Sequence, residues 1–147
     1  MFISHFKVKN SWIDHNNHMN VSYYHYVFQE ALNQYWKHIL EFEINNIKDI
    51  VISVKTAHIR YLSEAFLDDN IKVYSFLYKL DHAGFTVYQE IKRDDTAICV
   101  FNQYVNFYST KSNCIVSCDN ATFDRLSLLA SKSDVTIPEW VERLINI

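Results

Sequence analysis

Between residues 14 and 20 the chain gathers Asp14, His15, Asn16, Asn17, His18 and Asn20. A carboxylate can take a proton or attack, an amide can hold a reactant in place, and an imidazole can carry a proton near neutral pH. Immediately afterwards Val21, Tyr24, Phe28, Ala31, Leu32, Tyr35 and Ile39 recur at spacings of three and four, which is the helical period. The first turn of a helix offers free N–H groups and the positive end of its dipole, and both favour a developing oxyanion. Taken together, this cluster of an acid, amides and imidazoles at a helix start is a candidate site for polar acyl chemistry. A plainer reading stands beside it, because Asp and Asn before a helix commonly serve as turn and cap residues. His15 and His18 could also ligate a metal, but no third and fourth ligand follow at a recognisable spacing, so no metal site is expected. No Gly-x-Ser-x-Gly elbow is present, which argues against the α/β-hydrolase route to acyl transfer.

The elements that must position these residues can be read along the chain. Residues 2 to 9 read as a strand. Asn20 is the expected N-cap of a helix running to about residue 41, roughly 30 Å long. Tyr23, Tyr26 and Trp36 add aromatic character on other sides of that helix, so it is expected to be covered on most of its surface. Glu30 is expected on its inner side, either hydrogen-bonded in the core or supporting the site. Residues 50–61, 71–80, 85–92 and 97–108 read as consecutive antiparallel strands. The turns between them are Asp68-Asp69-Asn70, Asp81-His82-Ala83-Gly84 and Arg93-Asp94-Asp95-Thr96, and the one glycine, Gly84, is expected at positive φ. Residues 121 to 131 read as a helix, and Pro138 stands near the start of another. The order makes an α+β domain, an antiparallel sheet wrapped on one long helix. A single domain over residues 1–147 is expected, with a C-terminal helical extension at about 121–147.

Composition narrows the classes further. The chain has 147 residues, 49% of them hydrophobic and 21% charged, which is enough to bury a core and too apolar for disorder. A net charge of −3 and a pI near 6.1 give no electrostatic footprint for nucleic acid or an anionic membrane. No apolar run approaches a membrane span, and the N-terminus does not read as a signal peptide. Cys99, Cys114 and Cys118 are an odd number at no disulfide-scaffold spacing, so reduced thiols in the cytoplasm are expected. Aromatics reach 16% while Gly and Pro occur once each, so Asn, Asp and Ser must make the turns. The strands carry apolar residues at both parities, such as Val73 beside Tyr74 and Phe76 beside Leu77. A sheet of that kind needs cover on both faces, from the C-terminal helices or from another subunit. A homodimer with a sheet continuous across two chains, or a dimer of dimers, is expected, which would also hide a strand edge.

The segment Trp12-Ile13-Asp14-His15-Asn16-Asn17-His18-Met19-Asn20-Val21-Ser22-Tyr23-Tyr24 resembles the Asp-x-x-Gly-His-x-Asn-x-x-Tyr segment of hotdog-fold thioesterases of the 4-hydroxybenzoyl-CoA type. It is also similar to the Asp-x-Asn-x-His-Val-Asn-Asn segment of plant-type acyl-ACP thioesterases. His58-Ile59-Arg60-Tyr61-Leu62-Ser63-Glu64-Ala65 followed by Asp69-Asn70-Ile71 resembles the family's second landmark. The resemblance covers about residues 3 to 110. It implies a hotdog fold and hydrolysis of an acyl-CoA to a free acid and coenzyme A, with no cofactor. It further implies that Asp14 acts as base or nucleophile or orients its neighbours, that Asn16, His18 and Glu64 complete the catalytic set, and that a backbone N–H near Val21 receives the thioester carbonyl. The family commonly has Gly where this chain has Asn17, and Asn tolerates positive φ next best.

A narrower resemblance joins the first motif to His58-x-x-Tyr61-Leu62-x-Glu64-Ala65 and Ile137-Pro138-Glu139-Trp140, and points to the betainyl-CoA branch. A quaternary ammonium would want an aromatic cage, for which Trp12, Tyr23, Tyr61 and Tyr104 are available, although surplus aromatics usually build core. Lys55, Arg60, Lys92 and Arg93 are candidates for coenzyme A phosphates, and His58 reads as a core or interface histidine. Two other functions remain open on this reading: a hotdog module that binds acyl groups or partners without turnover, and an acyl-ACP thioesterase.

Overall fold

Short-range chemistry sets the ends of the elements. Val, Ile, Phe and Tyr fill the strands, and the connections use Asn and Asp in the left-handed region, at Asn17 (φ 62), Asp68 (φ 67), Asp94 (φ 48), Asp95 (φ 63) and Asn113 (φ 57). These two residue types tolerate that region because their short side chains bond locally. The computed structural model describes residues 1–44, 47–133 and 135–145. The last two residues of the expected C-terminal extension lie outside the described residues.

The elements in chain order are β1 (Phe2–Lys7), α1 (Val21–Phe42), β2 (Ile50–Tyr61), β3 (Asn70–Asp81), β4 (Gly84–Arg93), β5 (Thr96–Ser109), β6 (Cys114–Ile115), α2 (Asn120–Ser131) and α3 (Glu139–Ile145). A short 3-10 turn at Asn10–Trp12 precedes α1. The sheet is antiparallel in the order β1-β3-β4-β5-β2, with β6 on β5. β1 is shorter than expected, ending at Lys7, after which Val8 is buried and tied by its backbone to Asp68 and Asp69.

The helix α1 lies against one face of this sheet. Tyr24, Val27, Phe28 and Ala31 pack on Ile71, Val73, Ile91 and Phe101. One turn further on, Leu32, Tyr35, Trp36 and Ile39 pack on Leu77, Phe85, Val87 and Phe107. Each such side chain taken fully out of water contributes roughly 1.5–3 kcal/mol. This is the hotdog arrangement that the resemblance implied. The opposite face carries Phe76, Tyr88 and Val100, covered by Val135, Ile137, Trp140 and Val141 of the C-terminal segment, so that segment supplies part of the second cover.

Within the protomer α1 buries Trp36 and half-buries Tyr23 but leaves Val21, Tyr26 and Phe42 54%, 48% and 65% exposed, because one sheet covers only one stripe of a helix. Two expectations are corrected. Gly84 is not at positive φ. Its role is clearance, since a Cβ there would lie 1.9 Å from the carbonyl oxygen of Val105 on β5. Glu30 is half-buried on α1 and makes no hydrogen bond or ion pair among the described residues, so it is not a hydrogen-bonded core carboxylate, one of its two expected roles.

Candidate active site

Residues 13 to 19 form a small closed loop. Ile13 and Met19 bridge, the Asp14 N–H donates to His18 O (3.2 Å), and the Asn17 N–H donates to Asp14 O (3.0 Å). The loop turns through Asn17 in the left-handed region, so the asparagine does what the family's glycine does there. The outcome is that Asp14 and His18 stand opposite each other on the two arms.

Asp14 is held from two sides. Its Oδ1 accepts from the backbone N–H of Asn16 (2.8 Å) and its Oδ2 from the amide of Asn20 (3.1 Å). The Asn16 N–H first, then Asn20 and the neighbouring His18 and His15, outweigh the opposing effect of burial and hold the carboxyl below its ordinary range. Asn20 does double duty, since its Oδ1 also caps α1 by accepting from the Ser22 N–H (3.0 Å). The Val21 N–H, the first of α1, has no acceptor among the described residues, as helix geometry requires of a first-turn donor.

Glu64 arrives from the far end of β2. The segment Leu62–Ala65 is clamped on every side. The N–H groups of Leu62 and Ser63 donate to Ile98 O (2.9 and 3.0 Å), and Met19 N–H donates to Ala65 O (2.7 Å). The buried Ala65 N–H donates to the Tyr24 hydroxyl (2.9 Å). Arg93 donates to Glu64 O (2.9 Å) and pairs with Asp69 (2.6 Å). So fixed, the Glu64 carboxylate, itself 54% exposed, meets the Nδ1 of His18 at 3.1 Å. Asp68, at φ 67, makes the turn that follows.

A pocket of about 350 Å³ collects these groups: Asp14, Asn16, His18, Val21 and Glu64 all line it, with Met19, Tyr24, Tyr61, Leu62 and Ser63. The four expected catalytic residues and Val21 therefore face one space. The details differ in one respect. Asn16 contributes its backbone N–H to Asp14, and the side-chain amide that holds the carboxylate is that of Asn20, which reads in sequence only as a cap. Tyr24 and Arg93, which fix the Glu64 segment, had no local signal at all. Tyr24 follows the core period of α1, and Arg93 stands in a hairpin turn.

Other candidates separate. Trp12 and Tyr23 stack on each other at 5.5 Å with the Lys9 ammonium over Trp12. Tyr61 lines the pocket, while Tyr104 hydrogen-bonds Asp81 at the other end of the sheet (2.9 Å). These four form no single cage within the protomer. Of the phosphate candidates, Arg93 is engaged as described, Lys92 pairs with Glu90 (3.1 Å), and the exposed Arg60 lies over the Trp140 ring (5.8 Å), while Lys55 is exposed on β2. His58 is half-buried on β2, opposite Asn102 of β5. Among the described residues no three His, Cys, Asp or Glu side chains gather as a metal site requires, and no helix is long and apolar enough to cross a membrane.

The fold and the family of the chain make it a hotdog-fold thioester hydrolase. The chain belongs to the thioesterase-like superfamily, whose family model matches residues 8–144. No curated relative matches the sequence. Among solved structures it is similar to the SAV2348 protein of Staphylococcus aureus, solved in complex with CoA, with a TM-score of 0.81 at 20% identity over 94% of this chain and 89% of that one. The PA5185 protein of Pseudomonas aeruginosa gives 0.76 at 15% identity, covering 91% and 94%. The gentisyl-coenzyme A thioesterase BH1999 gives 0.71 at 15% identity, covering 82% and 98%. At these identities the likeness is one of fold.

Proposed function

We propose that the protein hydrolyses an acyl-CoA to a free acid and coenzyme A. The observation that carries this reading is the juxtaposition of an ionised Asp14, the unspent Val21 N–H at the head of α1, and the His18–Glu64 pair in one pocket. The thioester carbonyl oxygen accepts from the Val21 N–H, at the positive end of the helix, where a preorganised donor typically contributes a few kcal/mol to the transition state. Asp14 is too acidic to be the better base and too well held to turn, so it orients the attacking water. An imidazole can both take and give a proton, and with its Nδ1 held at 3.1 Å by Glu64, His18 takes the water's proton while Glu64 balances its charge. The tetrahedral adduct collapses, the C–S bond breaks, and the departing sulfur takes the proton from His18. Water supplies the new C–O bond, so no cofactor is consumed. The side chains of Asn16 and Ser63 line the same space and would contact substrate or water.

The pocket is at the small end of ligand sites and holds the thioester and little more, so acyl group and coenzyme must both extend beyond it. The twelve-residue β2 forms one edge of the sheet, with Val51, Val54 and Tyr61 43%, 44% and 47% exposed. Such an edge favours pairing with a second copy, and a homodimer joined through it would close the open side of the pocket. Three free cysteines accord with a reducing compartment.

The test is thiol release from acetyl-, medium-chain, aromatic and betainyl-CoA, with Asp14→Asn alongside. The variant should fold normally and lose about 10²–10⁴ in kcat. No release from any substrate by folded protein would refute the reading, and an unchanged rate in Asp14→Asn would refute the site.

A further inference from the structure

Four polar side chains form an unbroken hydrogen-bonded line through the interior. Ser75 on β3, Gln89 on β4 and Gln103 on β5 are each fully buried. Gln89 Nε2 donates to the Phe28 carbonyl of α1 (3.2 Å) and to Ser75 Oγ (3.0 Å). Gln103 Nε2 donates to Gln89 Oε1 (2.8 Å), and Gln29 Nε2 donates to Gln103 Oε1 (3.0 Å). The line runs between the two apolar clusters under α1, where aliphatic side chains would pack without needing partners.

Its direction is dictated by chemistry. A main-chain carbonyl only accepts, so Gln89 must turn its NH₂ to Phe28 and its oxygen to Gln103. Gln103 must then turn its own NH₂ to Gln89 and its oxygen to Gln29. Gln29 is obliged to spend an N–H inward. Its Oε1 and its second N–H are left with no partner among the described residues, at a half-buried position on the margin of α1, so a group that both donates and accepts, as a hydroxyl does, can satisfy them.

That margin leads back to the catalytic pocket. On the sheet side, Tyr61 pairs with Cys99, Ile59 with Phe101 and Ala57 with Gln103. On the helix side, Val21 lines the pocket, His25 sits edge-on to Phe101 at 5.4 Å, and Gln29 bonds Gln103. From Val21 to Gln29 the helix rises about 12 Å, and from Tyr61 to Ala57 the strand runs about 14 Å. Between them lies the half-buried, apolar Ile59, and Ala57 at the end is small and exposed.

We propose that this margin receives the acyl chain and that Gln29 reads its far end. The preferred substrate is an acyl-CoA with a chain of about eight carbons carrying a hydrogen-bond donor, such as a hydroxyl, at or near its terminus. This rests on the acyl-CoA reading of the site and adds a specificity-determining residue to it.

The experiment compares kcat/KM for 8-hydroxyoctanoyl-CoA and octanoyl-CoA in the wild type and in Gln29→Met, with folding and subunit association followed by thermal melting and sedimentation. The wild type should prefer the hydroxylated chain by several-fold to about tenfold, and Gln29→Met should bring the ratio near one. As a second variant, Ala57→Leu on the β2 edge should shift the butanoyl-to-octanoyl ratio toward butanoyl with sedimentation unchanged, and a shift that comes only with altered association counts against the chain running there. Hydrolysis of both octanoyl substrates at equal rates, or a ratio unmoved by Gln29→Met, overturns the role of Gln29 and leaves the thioesterase reading standing. Weakened association with an unmoved ratio also overturns it, by making the end of the line a subunit contact. Hydrolysis of none of the three substrates, with the acyl-CoA panel equally inert, sinks the thioesterase reading itself.

Discussion

Replacing Tyr24 by Phe removes one oxygen atom and leaves every carbon in place. The hydroxyl it removes is the acceptor for the Ala65 N–H at 2.9 Å, and Ala65 is fully buried, so water cannot readily take over. A buried donor left without a partner costs about 1–3 kcal/mol, which in a domain of this size corresponds to roughly 2–12 °C in Tm. Burial raises the Tyr24 pKa to about 12, so the phenol is neutral through the working range and the loss should not vary with pH below that value. The consequence reaches the site because the freed bond is one of the clamps on Leu62–Ala65, from which Glu64 meets His18. Tyr24→Phe should therefore melt lower, exchange its Ala65 amide faster by about 10–10², and lose part of its kcat with little change in KM. Differential scanning calorimetry, amide exchange read by NMR and steady-state thiol release check the three parts. Unchanged Tm and unchanged Ala65 protection would show that Tyr24 does not hold the segment, and the positioning argument for Glu64 would fall with it.

Three further outcomes are expected. Gly84→Ala puts a Cβ within 1.9 Å of the Val105 carbonyl oxygen and 2.9 Å of its carbon. Both are backbone atoms, so β4 must shift, and urea unfolding should show a loss of about 2–4 kcal/mol. Because Asp14 is held below its ordinary range by the Asn16 N–H first and then by Asn20, it is ionised above that lowered value and is protonated only as pH falls through it. Asn20→Ala should move the acid limb of kcat/KM to higher pH and also cost the helix cap about 0.5–2 kcal/mol; an unmoved limb would remove Asp14 from the rate-determining ionisations. Burial pushes the Cys99 thiol up to about 12, whereas Cys114 is exposed. A chromogenic disulfide at pH 8 should label Cys114 quickly and Cys99 only after unfolding; rapid labelling of Cys99 would contradict its burial.

The sequence alone determined the order of the elements apart from the two-residue β6, because that order rests on periodicity and turn chemistry, which are local. A spacing of three and four marked α1, Asn and Asp marked the turns, and Asn20 marked the helix start that its cap bond confirms. The polar cluster from Asp14 to Asn20 was legible as a group for the same reason, since its members are near neighbours along one loop, but the choice of Asn16 and His18 within it and the Val21 N–H as carbonyl donor came from the family resemblance. Glu64 was reached only through a family resemblance, since nothing local to β2 announces it. What tertiary structure decided is everything that depends on contact between distant segments. Asn20 reads as a cap, yet its second bond goes to Asp14. Tyr24 reads as core, yet its hydroxyl holds Ala65, 41 residues away. Gly84 reads as a turn glycine, yet it clears the backbone of β5. The line from Ser75 to Gln29 is invisible as sequence, because its members are spread over three strands and a helix and only pairing register and the packing of α1 bring them together. Local patterns specify which backbone a segment adopts; which polar atoms find one another is a property of the closed fold.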